Sequence, residues 1–303
     1  MILLMTTDAD PPGVLASLRK VIVAAFPELA GESFILATRG WDSVAVDVGD
    51  RLIFKFPRHE AAAARLRKEA RLLAFVRPRL TMPVPDMTLI DGSPLFSRHP
   101  KLVGDHLTTD VYAAVSERGR DRIANQLALF YAELHALDRG ELAALGAGPI
   151  APWLSIEDIA SKALPRLPDD VRSGATEALD VYGRLSPDPY GETFGFFDGH
   201  GWNLAFDAQN ERLNGVYDFG DSGLGGLHQE FVYSSLTCFD LTDRIIAAYE
   251  TLTGRGLDRR RIELLTGVHG LSELADLPDD PTQVVAGVER VLRWLRHSGD
   301  RGG

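Results

Sequence analysis

Apolar and polar positions alternate most clearly between Val44 and Phe56. Val44, Val46 and Val48 alternate with Ala45 and Asp47; Leu52, Phe54 and Phe56 alternate with Ile53 and Lys55. Gly49-Asp50 between the two runs reads as a turn, glycine relieving the penalty of positive φ, so the stretch predicts an antiparallel hairpin. Pro57 stops the second strand because proline has no N–H for the ladder. The pattern then changes to a helix over about His59 to Val76, rich in Ala, Leu, Arg and Glu, with an apolar stripe at Leu66, Ala70, Leu73 and Val76. Pro78, Pro83 and Pro85 interrupt it before two short strands near Met87–Ile90 and Leu95–Ser97. The first hundred residues thus read as strands around one helix.

The texture changes around Arg98–Gly104, which places a boundary between residues 1–100 and 101–303. Helical periodicity runs over about Asp121–Leu137 and returns in windows 156–183, 228–253, 257–275 and 281–297. One island, Thr193–Gly220, differs. Its short apolar runs (Phe194–Phe197, Leu204–Phe206, Leu213–Tyr217) alternate with Gly, Asp and Asn, the texture of rigid strands that hold polar tips.

Composition narrows the classes. A chain of 303 residues exceeds what one core usually supports, so two lobes are the expectation. Cys238 is the only cysteine, which excludes an intrachain disulfide framework and points to a reducing cytoplasm. MILLM is too short for a signal-peptide core, and no apolar stretch of about 18 residues occurs. The net charge of −11 disfavours nucleic acid and anionic lipid as partners. Nothing here indicates an oligomeric state.

Several polar residues stand where phosphoryl transfer would need them. That reaction requires clamped phosphates, a metal to offset charge, and an aligned hydroxyl relieved of its proton. Lys55, between Phe54 and Phe56, is placed to reach the phosphates of a nucleotide; its alternative is an edge-strand lysine in solvent. Glu69 lies in the apolar stripe of the following helix and can pair with Lys55, or with Arg65 four residues earlier. Asp198 and Asn203 are five apart in Phe-Phe-Asp-Gly-His-Gly-Trp-Asn, offering a proton acceptor and a neutral oxygen ligand for Mg²⁺, or simply a turn. Asp218 ends an apolar run and begins Asp-Phe-Gly, a second metal ligand. His135, on an apolar helix face, reads as a hydrogen-bonded structural residue, and Cys238 as packing. From the ion-pair reading, Lys55→Ala is expected to cut turnover far more than stability, because an exposed strand lysine contributes little to folding.

At these residues the chain resembles the aminoglycoside phosphotransferase family of the protein-kinase-like superfamily, over about Gly40 to Glu230. The likeness rests on Gly40-Trp41-Asp42-Ser43, Ile53-Phe54-Lys55-Phe56-Pro57, Met82-Pro83-Val84-Pro85, Glu133-Leu134-His135-Ala136-Leu137 and Asp218-Phe219-Gly220-Asp221. The resemblance implies an α+β, two-lobed fold: a small N-terminal antiparallel sheet with one helix, and a larger, mostly helical C-terminal lobe. It implies ATP or GTP as donor, Mg²⁺, and a small hydroxyl acceptor such as an aminoglycoside. Lys55 would contact phosphates and Glu69 orient it. Asp198 would be the base, with Asn203 and Asp218 the Mg²⁺ ligands. Backbone groups near Ser97–His99 would bind the base, and Ile53 would lie against it. The chain departs from the family at the catalytic loop. Phe196-Phe197 stand where His-Gly usually precede the aspartate, and Gly199-His200-Gly201-Trp202 replace Leu-x-Pro-x. The nucleotide loop has only Gly40.

Three functions follow. The first is phosphate transfer to a small molecule, with Asp221, Glu230, Asp240, Glu273, Asp276, Asp279 and Asp280 as carboxylates for a cationic acceptor or as solvated helix ends. The second is a nucleotide-binding or ligand-sensing module of weak catalysis. The third, a protein kinase, is disfavoured because Gly225-Gly226-Leu227 lead quickly into the next segment and leave little room for a peptide platform.

Overall fold

The computed structural model of the protein describes residues 13–39 and 43–302. The glycine loop at Gly40–Asp42 lies outside the described residues. Helix α1 (Val14–Ala25) precedes β1 (Phe34–Arg39), β2 (Ser43–Val48) and β3 (Leu52–Pro57). The next elements are α2 (Glu60–Val76), β4 (Thr88–Ile90) and β5 (Phe96–Pro100). The five strands form one antiparallel sheet in the order β1-β2-β3-β5-β4. The hairpin is as expected, with Val48 opposite Leu52 and both Gly49 and Asp50 at positive φ.

Alternation sorts the two faces of this sheet. Phe54, Phe56 and Phe96 point to one face, where Ile22 and Phe26 of the α1 segment close a core with them. Burial of each such ring contributes roughly 1.5–3 kcal/mol. The opposite face carries Ile53 and Lys55 and receives α2 through Ala63 and Leu66. The expectation of a single helix in this part is therefore corrected: α1 is a second. Its signal, Leu15, Leu18, Val21 and Ile22 at helical spacing, is present in the chain.

The larger part is helical: α3 (Thr109–Ala114), α4 (Glu117–His135), α5 (Arg139–Ala144), α6 (Ile156–Lys162), α7 (Asp169–Gly183), α8 (Phe239–Thr253), α9 (Arg259–Asp276) and α10 (Pro281–Gly302). Helices α4 and α8 pack through Leu127, Tyr131 and Leu134 against Ile245 and Tyr249. The window 156–183 divides in two because Pro165 and Pro168 fall inside it. The window 228–253 is α-helical only from Phe239; before it lie short 3-10 turns. Ser234 Oγ and Ser235 Oγ there donate to the carbonyls of Phe231 and Val232, local bonds that compete with a helix. No helix among the described residues is long and apolar enough to cross a membrane.

The polar island begins in β6 (Glu192–Gly195) and contains β7 (Leu204–Asp207) and β8 (Arg212–Val216), with β9 (Gly223–Gly226) just beyond its end. Pairing joins β7 to β8 and β6 to β9. The sequence Gly-Leu-Gly-Gly hides β9, since glycine is a poor strand former. Its glycines answer a steric demand: a Cβ at Gly223 would lie 2.7 Å from the Gly148 carbonyl, and one at Gly225 2.6 Å from Ile150.

Candidate active site

Lys55 sits in the middle of the sheet, since β3 has β2 on one side and β5 on the other. The edge-strand alternative is thereby removed. Its Nζ lies 3.2 and 3.3 Å from the two carboxylate oxygens of Glu69, and 3.0 Å from Asp218 Oδ1. Glu69, 3% exposed, also accepts the Phe219 N–H at 3.1 Å, so one buried carboxylate ties strand, helix and Asp-Phe-Gly segment together. Burial opposes the charge on Lys55, but Asp218 and Glu69 outweigh it and hold its pKa above the usual lysine value. Lys55 in turn holds Asp218 below the usual carboxylate range.

In register, Ser97 stands opposite Lys55 and His99 opposite Ile53, so these four side chains share a face. Ser97 is fully buried and its hydroxyl has no partner. His99 Nδ1 lies 2.9 Å from the Pro100 carbonyl, and burial lowers its pKa to about 4, so the ring is neutral. Strand β4 accompanies β5 only as far as Arg98.

Strand β6 delivers the loop that carries Asp198. Asn203 Nδ2 donates to Asp198 Oδ2 at 2.6 Å and to the Asp198 carbonyl at 3.0 Å, while His200 Nε2 lies 3.1 Å from Asp198 Oδ1. The other end of the loop is fixed by the Gly201 N–H, which donates to Thr237 Oγ1 at 2.9 Å. The two unusual glycines have physical reasons. A Cβ at Gly199 would fall 2.0 Å from the Tyr131 phenol oxygen, and one at Gly201 1.9 Å from the Leu107 carbonyl. Neither position admits the leucine or proline expected there.

The two phenylalanines before Asp198 are also accommodated. Phe196 is in ring contact with Phe219 at 5.0 Å and with Phe130 at 5.7 Å. Phe197 adopts φ 54°, a region that costs a bulky residue about 1–3 kcal/mol and is held only when the surroundings enforce it. The N–H groups of Phe196 and Phe197 both donate to the carboxylate of Glu230, each at 2.9 Å. Asp218 also has positive φ, tolerated by aspartate, and the Tyr217 N–H before it donates to the Asn203 carbonyl. Beyond it, burial together with Asp198 and Asp218 raises Asp221 to about 6.

The five polar residues assigned to phosphoryl transfer fall into two clusters. Lys55, Glu69 and Asp218 form one cluster, and Asp198, Asn203 and His200 another. His135 is buried, with Nδ1 2.8 Å from the Tyr249 hydroxyl. Glu230 was not legible as a loop anchor, because its partners lie more than thirty residues away.

A family model described as the phosphotransferase enzyme family matches residues 34–265, well over half of the chain. The protein belongs to that family. Solved structures agree on the fold. A GDP complex of an aminoglycoside 2'-phosphotransferase type IIIa variant superposes with TM-score 0.81 at 21% identity, covering 95% of this chain and 100% of that one. The macrolide 2'-phosphotransferase of Brachybacterium faecium gives TM-score 0.67 at 19% identity, over 91% and 98% of the two chains. A streptomycin–ATP complex of another aminoglycoside phosphotransferase gives 0.62 at 18%, over 95% and 97%. The chain thus carries the phosphotransferase family's sequence pattern on a kinase-like, two-lobed α+β architecture.

Proposed function

We propose that the protein transfers the γ-phosphoryl group of ATP or GTP to a hydroxyl of a small molecule, with Asp198 as base. The observation that carries this reading is the pairing of Lys55 with Glu69 and Asp218, beside an Asp198 carboxylate fixed by Asn203 and His200. Glu69 is buried and stays with Lys55, whereas the side chain of Asp218 is half exposed. Nucleotide phosphates can therefore replace Asp218 at the ammonium without uncovering a buried charge.

The donor set fits Mg²⁺. Asn203 uses its amide nitrogen on Asp198, leaving Oδ1 as a hard oxygen ligand, and Asp218 uses only Oδ1 on Lys55. The metal would neutralise charge on the phosphates. Asp198 aligns the acceptor hydroxyl and takes its proton as the oxygen bonds to the γ-phosphorus and the bond to the leaving nucleoside diphosphate breaks. Ile53 and His99, opposite each other across β3 and β5, would flank the base.

Most of the carboxylates considered for a polycationic acceptor have partners within the chain. Glu230 holds the loop, and Asp240 pairs with Arg244. Glu273 pairs with Arg290, Asp279 with Arg166, and Asp280 accepts N–H groups at the start of α10. Asp221 feels the charges of both Asp198 and Asp218. An acceptor with few positive charges fits this balance better than a polycation.

The test is ³¹P NMR of mixtures of the protein, Mg·ATP or Mg·GTP, and a panel of macrolides, aminoglycosides, choline, homoserine and simple sugars. A new phosphate ester with a weakly charged acceptor is expected. Esters formed only on aminoglycosides would overturn the acceptor assignment, and none on any acceptor, with nucleotide bound, would favour the weakly catalytic module.

A further inference from the structure

We infer that Asp47 is a specificity-determining residue that selects guanine at the donor site, so that the phosphoryl donor is GTP; this rests on the nucleotide site proposed above. Asp47 lies on β2 opposite Ile53, and His99 lies on β5 opposite Ile53 from the other side. The three side chains form one row on the face that carries Lys55. Neighbouring strands are about 4.8 Å apart, so the backbones of Asp47 and His99 stand about 10 Å from each other with Ile53 between them. That leaves room for the flat ring of a purine. The row is about 7 Å along the strand from Lys55, so phosphates held at Lys55 place the base over it.

Asp47 is only 9% exposed, yet its Oδ1 has no hydrogen-bond partner among the described residues. Its other oxygen, Oδ2, accepts from the Lys101 ammonium at 2.6 Å, and the Lys101 N–H donates to the Arg51 carbonyl at 2.8 Å, which fixes the direction of the carboxylate. A buried carboxylate oxygen without a donor is costly, and a ligand that donates to it recovers that cost. His99 adds a second acceptor. Its Nδ1 faces the Pro100 carbonyl, which can only accept, so the proton of the neutral ring is on Nδ1 and Nε2 is bare. Guanine carries N1–H and the 2-amino group side by side, two donors on one edge. Adenine has a bare N1 and a C–H at the same places, and its lone pair would face those of the carboxylate. Attraction of one base and repulsion of the other therefore act in the same direction. A ribose hydroxyl can also donate to Asp47 Oδ1, but both nucleotides carry it, so a contact of that kind gives no selection.

The experiment is titration calorimetry of the full chain with Mg·GDP, Mg·IDP and Mg·ADP. The wild type binds GDP about 10- to 100-fold tighter than ADP, with IDP, which keeps N1–H but lacks the 2-amino group, between them. In Asp47→Asn the amide oxygen stays on Lys101 and the NH₂ takes the place of Oδ1, so GDP weakens, ADP tightens and the ratio falls by about tenfold or more. Asp47→Thr, a good strand former, is the second variant. It removes the carboxylate, leaves Lys101 to Asp50, and brings GDP and ADP within about threefold of each other. Equal affinities for GDP and ADP in the wild type would overturn the selection. A preference for GDP that survives both variants would overturn the part of Asp47, and equal losses for both nucleotides would assign its carboxylate to the ribose instead. Binding of neither nucleotide overturns the nucleotide site and this selection with it. Binding without transfer to any acceptor sinks the proposed phosphotransfer alone, since the affinities still decide Asp47.

Discussion

Arg244 and Lys55 each face several carboxylates, and the two sites have opposite characters. Arg244 on α8 binds Asp240 through Nε at 2.9 Å, Asp121 through Nη1 at 2.5 Å and Glu117 through Nη2 at 2.6 Å. Its carboxylates are 38%, 61% and 73% exposed, so each pair is worth little, typically about 0.2–1 kcal/mol. The cluster ties α4 to α8. Lys55 has only two partners, at longer distances, but one of them is buried and the other opens to the site. Counting ion pairs would rank Arg244 first. What separates them is replaceability. All the partners of Arg244 belong to the fold, whereas Asp218 can yield its place at Lys55 to another anion.

The largest expected effect is at Asp198. Asp198→Asn keeps the size of the side chain and one oxygen for Asn203 but removes the base, and kcat should fall by about 10²–10⁴-fold. Stability measured by urea unfolding should change little.

Lys55→Ala comes next and corrects a simple expectation. An exposed strand lysine would contribute little to folding, yet Lys55 is mostly buried against Glu69. Its removal leaves an uncompensated buried carboxylate, so about 3 kcal/mol of stability should be lost along with turnover. Adding Glu69→Ala should return much of the stability and none of the activity. If the double variant regained turnover, Lys55 would have no part in binding phosphate.

The pH profile sharpens the comparison on the sheet face itself. His99 has a folded pKa of about 4 against an ordinary value of 6.5, because burial and then the Lys55 charge disfavour its protonation. Between these values the unfolded chain binds the extra proton, so stability falls as pH drops from 6.5 to 4, by roughly 3 kcal/mol from this residue. His99→Phe should flatten that slope in urea titrations. An unchanged slope would remove His99 from the buried face. The smallest effect belongs to Arg244→Ala: about 1 kcal/mol or less in stability, with nucleotide KM unaltered.

Local pattern made much of this visible. Alternation defined the β2–β3 hairpin, composition defined α2, and Asn203 and Asp218 were separated by two short strands that pair and bring them together. Strand order was not visible. Lys55 could be read as an edge residue because nothing in Ile53-Phe54-Lys55 tells that β5 pairs on its other side. Strand β9 hid behind glycines that exist for close packing, and α8 was read too long because serine hydroxyls cap their own backbone before it. The Glu230 anchor had no local signature at all, since two backbone N–H groups carry no residue type.

The central claim is a charge held for a nucleotide and a base held for a hydroxyl. Release of ADP and GDP from Mg·ATP and Mg·GTP, with and without each acceptor, tests it most directly in the wild type and Asp198→Asn. Release stimulated by an acceptor and lost in Asp198→Asn is the predicted result. Equal stimulated release by both proteins would contradict it.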